Sequence, residues 1–266
     1  MDHERLVTIG VVGAGLIGTS VALAARRADP DVRIVTLDRD DPIEAVHGAD
    51  LIVLATPVDA IIELLRSHAS RFGGAAVTDV GSTKRAIVRA ARDAGLSTFV
   101  GGHPMAGAAT TGPSGARPDL FDGRHWFLVP GIAEPHAVAR VRSFVEQLGA
   151  RAVMFDDDGG EHDRVMAAVS HLPQLAATAL MKVVGDAVGD EGLRWAGSGC
   201  RDTTRLAASA ASMWESLLAT NAEALGPLVK ALAAELNQIG GALDDRDATR
   251  RLFGAANAYR RRLEQS

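Results

Sequence analysis

The chain has 266 residues and a formal net charge of −5, and 47% of its residues are hydrophobic. This length allows one large domain or two modest ones with a hydrophobic core. The acidic balance argues against a nucleic-acid partner, which would require a basic stripe, and the single cysteine, Cys200, excludes an internal disulfide framework. No apolar signal segment and no membrane-length apolar run are visible, so we expect a soluble cytoplasmic protein with no membrane partner.

The first half of the chain alternates short β-rich runs with alanine-rich helical patterns. The predicted strands are TIGVVGAG, VRIVTLD, LIVLAT, AAVTDV, TFVGG and FLVPG. Strands that alternate with helices form parallel βαβ units. We therefore predict that residues 1–156 form an α/β domain with a Rossmann-like, doubly wound parallel sheet.

The character of the chain changes at the acidic turn Asp156–Gly160. The later patterns have helical spacing, from EHDRVMAAVSHLPQLAATALMKVVG to ATRRLFGAANAYRRRL. Some of these helices, such as PLVKALAAELNQIG, are apolar on more than one face, and such helices often bury the extra surface in a partner. We predict an all-α domain in residues 157–266 that forms a homodimer.

A glycine-rich turn joins the first predicted strand to the first predicted helix. Its sequence GAGLIG matches the G-x-G-x-x-G pattern of dinucleotide-binding folds. The first glycine allows a tight turn, the second lets a pyrophosphate approach the backbone, and the third lets the helix pack closely on the strand. The N–H groups at the helix N-terminus would face the phosphates. We assign cofactor binding to Gly13, Gly15, Leu16, Ile17 and Gly18.

The next two strand ends carry further candidate cofactor residues. Asp38 follows Gly18 by 20 residues, where a carboxylate can accept both ribose hydroxyls of NAD and repel a 2′-phosphate. The alternative is an ordinary aspartate in a turn, and Arg39 keeps NADP possible. Thr56 and Pro57 have the pattern of a helix N-cap followed by its first residue, and they also end a strand where this fold binds its cofactor.

Ser82 and His103 follow two later strands. Ser82 could simply cap the next helix, and a lone histidine is more often structural than catalytic. His103, however, lies beyond the carboxyl end of a strand, where open α/β sheets bind their ligands. Its near-neutral pKa suits it to take a proton from a hydroxyl while that carbon gives up hydride.

Asp202 and Arg205 in the helical half are spaced i, i+3 and would be neighbours on a helix face. A guanidinium group matches the geometry of a carboxylate, so Arg205 could hold an acidic substrate. The alternative is a surface ion pair that contributes little to stability.

His171 and Gln174 flank Pro173, which should kink their helix and could aim both side chains into a cleft. The kink could also serve packing alone. His162 lies nine residues before His171, so on a straight helix the two would face opposite ways. We predict that His162 lies on the surface.

Eight motifs, in this order, resemble those of the prephenate/arogenate dehydrogenase family: GAGLIGTS, ATPV, DVGSTK, GGHPMAG, FDGRHWFLVP, HDRVMAAVSHLPQ, RDTTRLAAS and MW…N. The resemblance extends from about Ile9 to Asn221. It implies an NAD(P)-dependent homodimer that oxidatively decarboxylates a small cyclohexadienyl substrate in tyrosine biosynthesis. Prephenate would become 4-hydroxyphenylpyruvate, or arogenate would become tyrosine.

The resemblance also implies roles for the candidate residues, with no metal involved. His103 would be bonded to the ring hydroxyl of the substrate, and Ser82 would orient the substrate and the nicotinamide. Arg205 would hold a substrate carboxylate, and Asp202 would steady Arg205.

His171 and Gln174 would line the same pocket, and here the chain departs from the family pattern. Some members have histidine where Gln174 stands. The family usually has a glutamate in a G-x-E pattern after GGHPMAG, whereas this chain has Ala108 and Ala109 there. These departures leave open a substrate such as an amino analogue of prephenate.

Two other functions remain open at this point. A β-hydroxyacid-type dehydrogenase would use a catalytic lysine in the helical half, but Lys182 and Lys230 lie in no matching motif. The second alternative is an NAD-binding sensor that keeps the fold and has lost the chemistry.

Overall fold

The computed structural model describes residues 6–107 and 112–265, so the departure at Ala108 and Ala109 lies outside the described residues. The described part of the chain forms a seven-stranded sheet and ten α-helices. None of these helices has the length and apolar character needed to cross a membrane. In chain order the elements are β1 (Thr8–Val12), α1 (Leu16–Ala28), β2 (Arg33–Leu37), β3 (Leu51–Leu54), α2 (Val58–His68), β4 (Ala76–Asp79), α3 (Arg85–Asp93), β5 (Phe99–Pro104), β6 (His125–Val129), α4 (Pro135–Gln147), β7 (Arg151–Met154), α5 (Gly160–Met166), α6 (Leu172–Leu193), α7 (Ser198–Thr204), α8 (Ala211–Thr220), α9 (Ala222–Gly240) and α10 (Arg246–Leu263).

The strands lie in the order β2-β1-β3-β4-β5-β6-β7. Neighbouring strands are parallel except β5 and β6, which pair antiparallel with His103 opposite Phe127. The predicted doubly wound α/β sheet is thus confirmed with one reversed pair, and the short edge strand β7 was not among the predicted strands. The order changes direction between the adjacent strands β1 and β3, and in such sheets ligands bind in the crevice beyond this switch point.

Both faces of the sheet are covered by helices. Strands β3 and β4 are buried along their full length, as expected for central strands of a parallel sheet. Apolar residues of α1 and α4 pack on one face, and those of α2 and α3 pack on the other. The loops at the carboxyl ends of the strands are therefore held on a rigid support.

The described residues from Gly160 onward contain helices and no strand. Helix α5 continues through a π-helical turn, Ala167–His171, directly into α6. Pro173 lies in the first turn of α6 and has no backbone N–H to donate, so the predicted irregularity takes the form of a π turn just before it. Helix α5 packs on α3 and α8 packs on α2, which places the helical half over the crevice.

Candidate active site

A cleft of about 810 Å³ opens beyond the carboxyl ends of β1, β2 and β3. Leu16 and Ile17 are the first two residues of α1, and Gly18 follows inside the helix. From the helical half, Ser212, Glu215 and Ser216 also line the cleft. Its lining includes these members of the predicted cofactor set: Gly13, Gly15, Asp38, Thr56 and Pro57.

The three glycines of the turn differ in the space around them. Gly13 has a φ of 114°, and a Cβ atom there would collide with the Ala55 carbonyl. A Cβ atom at Gly18 would collide with the Gly13 carbonyl, whereas one at Gly15 would meet nothing within 4 Å. Gly13 and Gly18 are therefore needed to build the turn, and Gly15 leaves open space beside the helix N-terminus.

Asp38 lies at the end of β2 with an exposed side chain. One of its carboxylate oxygens, Oδ1, accepts the Arg39 N–H at 2.8 Å, and no described group bonds the other. The Arg39 side chain lines the same cleft. The carboxylate is thus available to a ribose, with a guanidinium group nearby.

Thr56 and Pro57 differ from the predicted helix start. Pro57, not Thr56, is the N-cap residue of α2, and no side chain caps this helix. The Thr56 hydroxyl is buried without a described partner. Because buried hydroxyls are normally hydrogen-bonded, this one has capacity for a ligand in the cleft.

A second cavity, of about 280 Å³, brings Ser82 and His103 together. Ser82 caps no helix, since α3 begins at Arg85 without a side-chain cap. Apart from Pro104, which was expected to limit the motion of His103, the remaining lining residues had no predicted role, although the motifs GGHPMAG, SHLPQ and MW contain most of them. These residues are Pro104, Met105, Ala106, Ser170, Met213, Trp214 and Leu217.

His103 is a member of β5 rather than a residue after it, and it is only 8% exposed. Burial, together with His162, Lys84 and His171, holds the pKa of His103 well below its usual range. The ring is therefore neutral near pH 7 and can accept a proton. No described group bonds its Nε2 atom.

The prediction that His162 lies on the surface is wrong. His162 is fully buried, and its Nε2 lies 2.9 Å from His103 Nδ1. The π turn between His162 and His171 places one extra residue in the helix, which changes their angular separation by roughly 100°. The packing of α5 on α3 then directs the His162 side chain inward.

Asp163 links His162, and through it His103, to two neighbouring helices. Its carboxylate accepts hydrogen bonds from the Lys84 N–H at 2.7 Å and the Arg85 N–H at 3.0 Å. The same carboxylate lies 2.9 Å from His162 Nδ1. The Asn221 side-chain amide donates to the Asp163 carbonyl at 2.8 Å. These bonds join α5 to the first turn of α3 and to the start of α9. We call the set His103, His162, Asp163, His171 and Asn221 the histidine cluster.

His171 does not line the cavity but packs against Trp214, which does. Its Nδ1 is 3.1 Å from the Asn221 amide nitrogen, and its ring meets the Trp214 ring edge-on at 6.0 Å between centroids. Burial lowers the pKa of His171 to about 4, against the opposing effect of Asp163. A neutral His171 therefore supports the wall that carries Trp214.

A fully buried ion pair between Lys84 and Asp79 lies beneath the Ser82 loop. Asp79 also accepts the Gly102 N–H at 2.9 Å and the Gly81 N–H at 2.8 Å. The pair thus ties the end of β4 to the Ser82 loop and to the residue before His103. These bonds hold the Ser82 loop next to the His103 strand.

Asp202 and Arg205 are exposed, and they form no ion pair with each other in the part of the chain that the structure describes. Gln174 donates to the Leu206 carbonyl at 2.8 Å and accepts from the Ser209 hydroxyl at 3.4 Å. It therefore fastens the 3-10 turn that begins at Arg205 to the first turn of α6. None of Asp202, Arg205 and Gln174 lines the 280 Å³ cavity.

Comparison with known proteins matches two family models in succession: the prephenate dehydrogenase nucleotide-binding domain over residues 15–154 and the prephenate dehydrogenase dimerization domain over residues 158–254. A prephenate dehydrogenase of Lactococcus lactis subsp. cremoris is 33% identical over 261 residues, which cover 90% of this chain and 72% of the relative.

Two solved structures extend this similarity. The Synechocystis arogenate dehydrogenase matches with a TM-score of 0.81 and 28% identity over 96% of this chain and 99% of the other. A prephenate dehydrogenase from A. aeolicus, in complex with hydroxyphenyl propionate and NAD+, has a TM-score of 0.87 and 24% identity over 99% of each chain. On the two family models and the bacterial relative, the chain belongs to the prephenate dehydrogenase family.

Proposed function

We propose that the protein is an NAD-dependent dehydrogenase that oxidatively decarboxylates prephenate or arogenate, a step of tyrosine biosynthesis. The observation that carries the proposal is the neutral, buried His103, whose Nε2 is free of described partners at the cavity that it shares with Ser82. Relatives named prephenate dehydrogenase and arogenate dehydrogenase support these two substrates.

The residues of the large cleft fit a dinucleotide. Open space at Gly15 admits a pyrophosphate at the N-terminus of α1, the Asp38 carboxylate can accept ribose hydroxyls, and the Thr56 hydroxyl lacks a partner. When bound, NAD supplies the hydride acceptor. We propose NAD rather than NADP because Asp38 would repel a 2′-phosphate, although Arg39 leaves room for some use of NADP.

His103 then acts as the general base. Its Nε2 takes the proton of the ring hydroxyl while the carbon that bears this hydroxyl loses hydride, and the ring carboxylate leaves as carbon dioxide as the ring becomes aromatic. Ser82 lies in the same cavity and positions the substrate by its hydroxyl. The buried imidazole needs no deprotonation before reaction, since it is already neutral.

We propose that substrate binding also involves residues of the helical half outside the lining of this cavity. The exposed Arg205 guanidinium group, which no described group bonds, would hold a substrate carboxylate, and Asp202, one helical turn earlier, would steady it once substrate is bound. Gln174 acts by holding the turn that carries Arg205. His171 acts by supporting the cavity wall at Trp214.

We propose the domain division 1–156 and 157–266 and a homodimer formed by the second domain. The matched dimerization-domain model supports this assembly. So do exposed apolar side chains on its helices, among them Leu180, Val183, Leu236 and Phe253. A cytoplasmic location agrees with the free thiol of Cys200.

Initial rates of nicotinamide reduction test the proposal. Prephenate, arogenate and an amino analogue of prephenate are each offered with NAD and with NADP, and released carbon dioxide is measured alongside. We expect turnover of prephenate or arogenate with NAD, with one carbon dioxide per reduced nicotinamide. A folded protein that binds NAD and turns over neither substrate would contradict the proposal.

A further inference from the structure

We propose that His162, held by Asp163, is a positioning residue that fixes the tautomer of His103, so that Nε2, the ring nitrogen available to the substrate, carries no proton. This inference rests on the proposed function of His103 as the proton acceptor. It assigns a role to a histidine that the sequence placed on the surface.

The first step is the ionised state of Asp163. Its two carboxylate oxygens accept the backbone N–H groups of Lys84 and Arg85, at the N-terminus of α3. An N-terminal position on a helix favours a negative charge. Because an ionised carboxylate can only accept hydrogen bonds, the short contact with His162 requires that His162 Nδ1 carries the proton.

The second step fixes the other nitrogen of His162. Burial lowers the pKa of His162, so the ring is neutral and has a single N–H group. With the proton on Nδ1, its Nε2 is an acceptor. Among the described residues, the group that lies within hydrogen-bonding distance of this Nε2 is His103 Nδ1, at 2.9 Å, which must then donate.

The third step fixes His103. This ring is also neutral, and its one proton lies on Nδ1, toward His162. Nε2 is then the bare nitrogen. When Nε2 takes a proton from the substrate hydroxyl, the bond to His162 remains a donor–acceptor pair and Asp163 supplies the compensating negative charge.

The opposite arrangement would need a positively charged His162 that donates to His103. The charged groups that face this pair are Lys84 and Asp79 beneath the Ser82 loop and Asp163 on α5, and His171 is the remaining titratable neighbour. Asp79 is paired with Lys84, and Asp163 already accepts the two N–H groups of α3. Burial nevertheless lowers the pKa of His162 despite its bond to Asp163, so the charged form of this ring is disfavoured.

The packing around His162 does not itself require nitrogen atoms. The ring meets Phe127 and Phe155 edge-on, with centroid distances of 5.7 Å and 5.6 Å. A phenylalanine ring could make the same contacts. His162→Phe therefore removes the acceptor and keeps the shape, and His162→Gln keeps an amide that can accept from His103.

The first test uses no substrate. Nitrogen NMR of protein labelled in the histidine rings, with the His103 signals assigned by comparison with His103→Asn, reports which ring nitrogen is protonated at pH 7. We expect Nδ1 to be protonated and Nε2 bare in the wild type, and a mixture of both tautomers in His162→Phe. A wild-type His103 protonated on Nε2 would overturn the inference, even for an active enzyme.

The second test is kinetic. We expect kcat in His162→Phe to fall on the order of 10- to 100-fold, with KM for NAD little changed, and His162→Gln to recover much of the loss. His136→Phe, an exposed histidine on α4, is the matched control and should be unchanged. An unchanged kcat in His162→Phe, or equal losses in the Phe and Gln variants at wild-type thermal stability, would refute the role. If the Phe variant does not fold, the wild-type spectrum and the Gln variant still decide.

Discussion

The cofactor cleft takes its shape from backbone, whereas the histidine cluster takes its shape from side chains of three separate parts of the chain, one of them the continuous α5 and π turn. In the cleft, one continuous strand–turn–helix supplies the turn, and two glycines are essential because any Cβ atom would strike a carbonyl. In the cluster, β5, α5, the π turn and the start of α9 each contribute one or two side chains.

The two regions also differ in their contact with water. The cleft is open and leaves Asp38 and Gly15 free for a ligand. The cluster is buried and almost fully hydrogen-bonded internally, so each ring has a defined proton position. Ligand recognition in the cleft thus depends on unfilled space beside the backbone, whereas proton transfer in the cluster depends on close packing that excludes water. Variants in each region should therefore differ in whether they change stability, catalysis or cofactor binding.

Lys84→Met should have the largest effect on stability. It leaves Asp79 buried without its partner, which costs about 3–5 kcal/mol in the free energy of unfolding. Urea unfolding measures the change. The matched control is Lys182→Met, which breaks an exposed ion pair with Asp186 and should cost about 1 kcal/mol or less. Equal losses in the two variants would contradict the buried role.

Gly18→Ala should lower the free energy of unfolding by about 1–3 kcal/mol, because its Cβ atom collides with backbone. Gly15→Ala should leave thermal stability unchanged, since its Cβ atom has open space, and should weaken NAD binding on the order of 10-fold where the pyrophosphate approaches. Calorimetric melting and NAD titration separate the two effects. A Gly15→Ala variant with a lowered melting temperature and normal NAD affinity would contradict this difference between the two glycines.

Stability should fall as the pH is lowered from 7 to 5. The pKa values of His103, His162 and His171 are all lowered in the folded protein, so in this range the unfolded chain binds more protons than the folded one. For His171 the loss extends from an unfolded pKa of about 6.5 down to about 4. Urea unfolding at pH 7, 6 and 5 measures it.

His171→Asn should make this pH dependence shallower, whereas His136→Phe should not change it. A wild-type stability that is constant or rises toward pH 5 would show that the cluster is not held neutral.

Asp38→Ser should produce the smallest effect, a gain in the kcat/KM ratio of NADP to NAD on the order of 10-fold, as the repulsion of the 2′-phosphate is removed and Arg39 remains. Initial rates with both cofactors measure the ratio. Asp41→Ser, which changes a carboxylate that accepts the Asp38 N–H, is the control for loss of charge alone. An equal shift in both variants would argue against a direct contact of Asp38 with the ribose.

Much of the sheet could be predicted because its signals are local. Six strands, the glycine turn and the change to helices at residue 160 follow from contiguous patterns, and His103 and Ser82 could be chosen because both come at strand ends. The antiparallel direction of β6 could not be predicted from the sequence, because it depends on the path of the long connection between β5 and β6. Strand β7 has only four residues at the sheet edge and a weak pattern.

The role of His162 could not be predicted from the sequence, for a different reason. Its side-chain direction depends on a π turn several residues later and on the packing of α5 against α3, and neither is encoded in the period of a regular helix. The MW…N motif did contain a signal. Asn221 proves to join Asp163 to His171, although the sequence alone gave it no role.

We propose that His103 is the proton acceptor in an NAD-dependent oxidation of prephenate or arogenate. The most direct measurement compares the initial rates of the wild type and His103→Asn with the better substrate at saturating NAD, with NAD binding and thermal melting recorded for both. We expect kcat to fall on the order of 100-fold or more, with NAD affinity and folding retained. A His103→Asn variant that keeps wild-type turnover would contradict it.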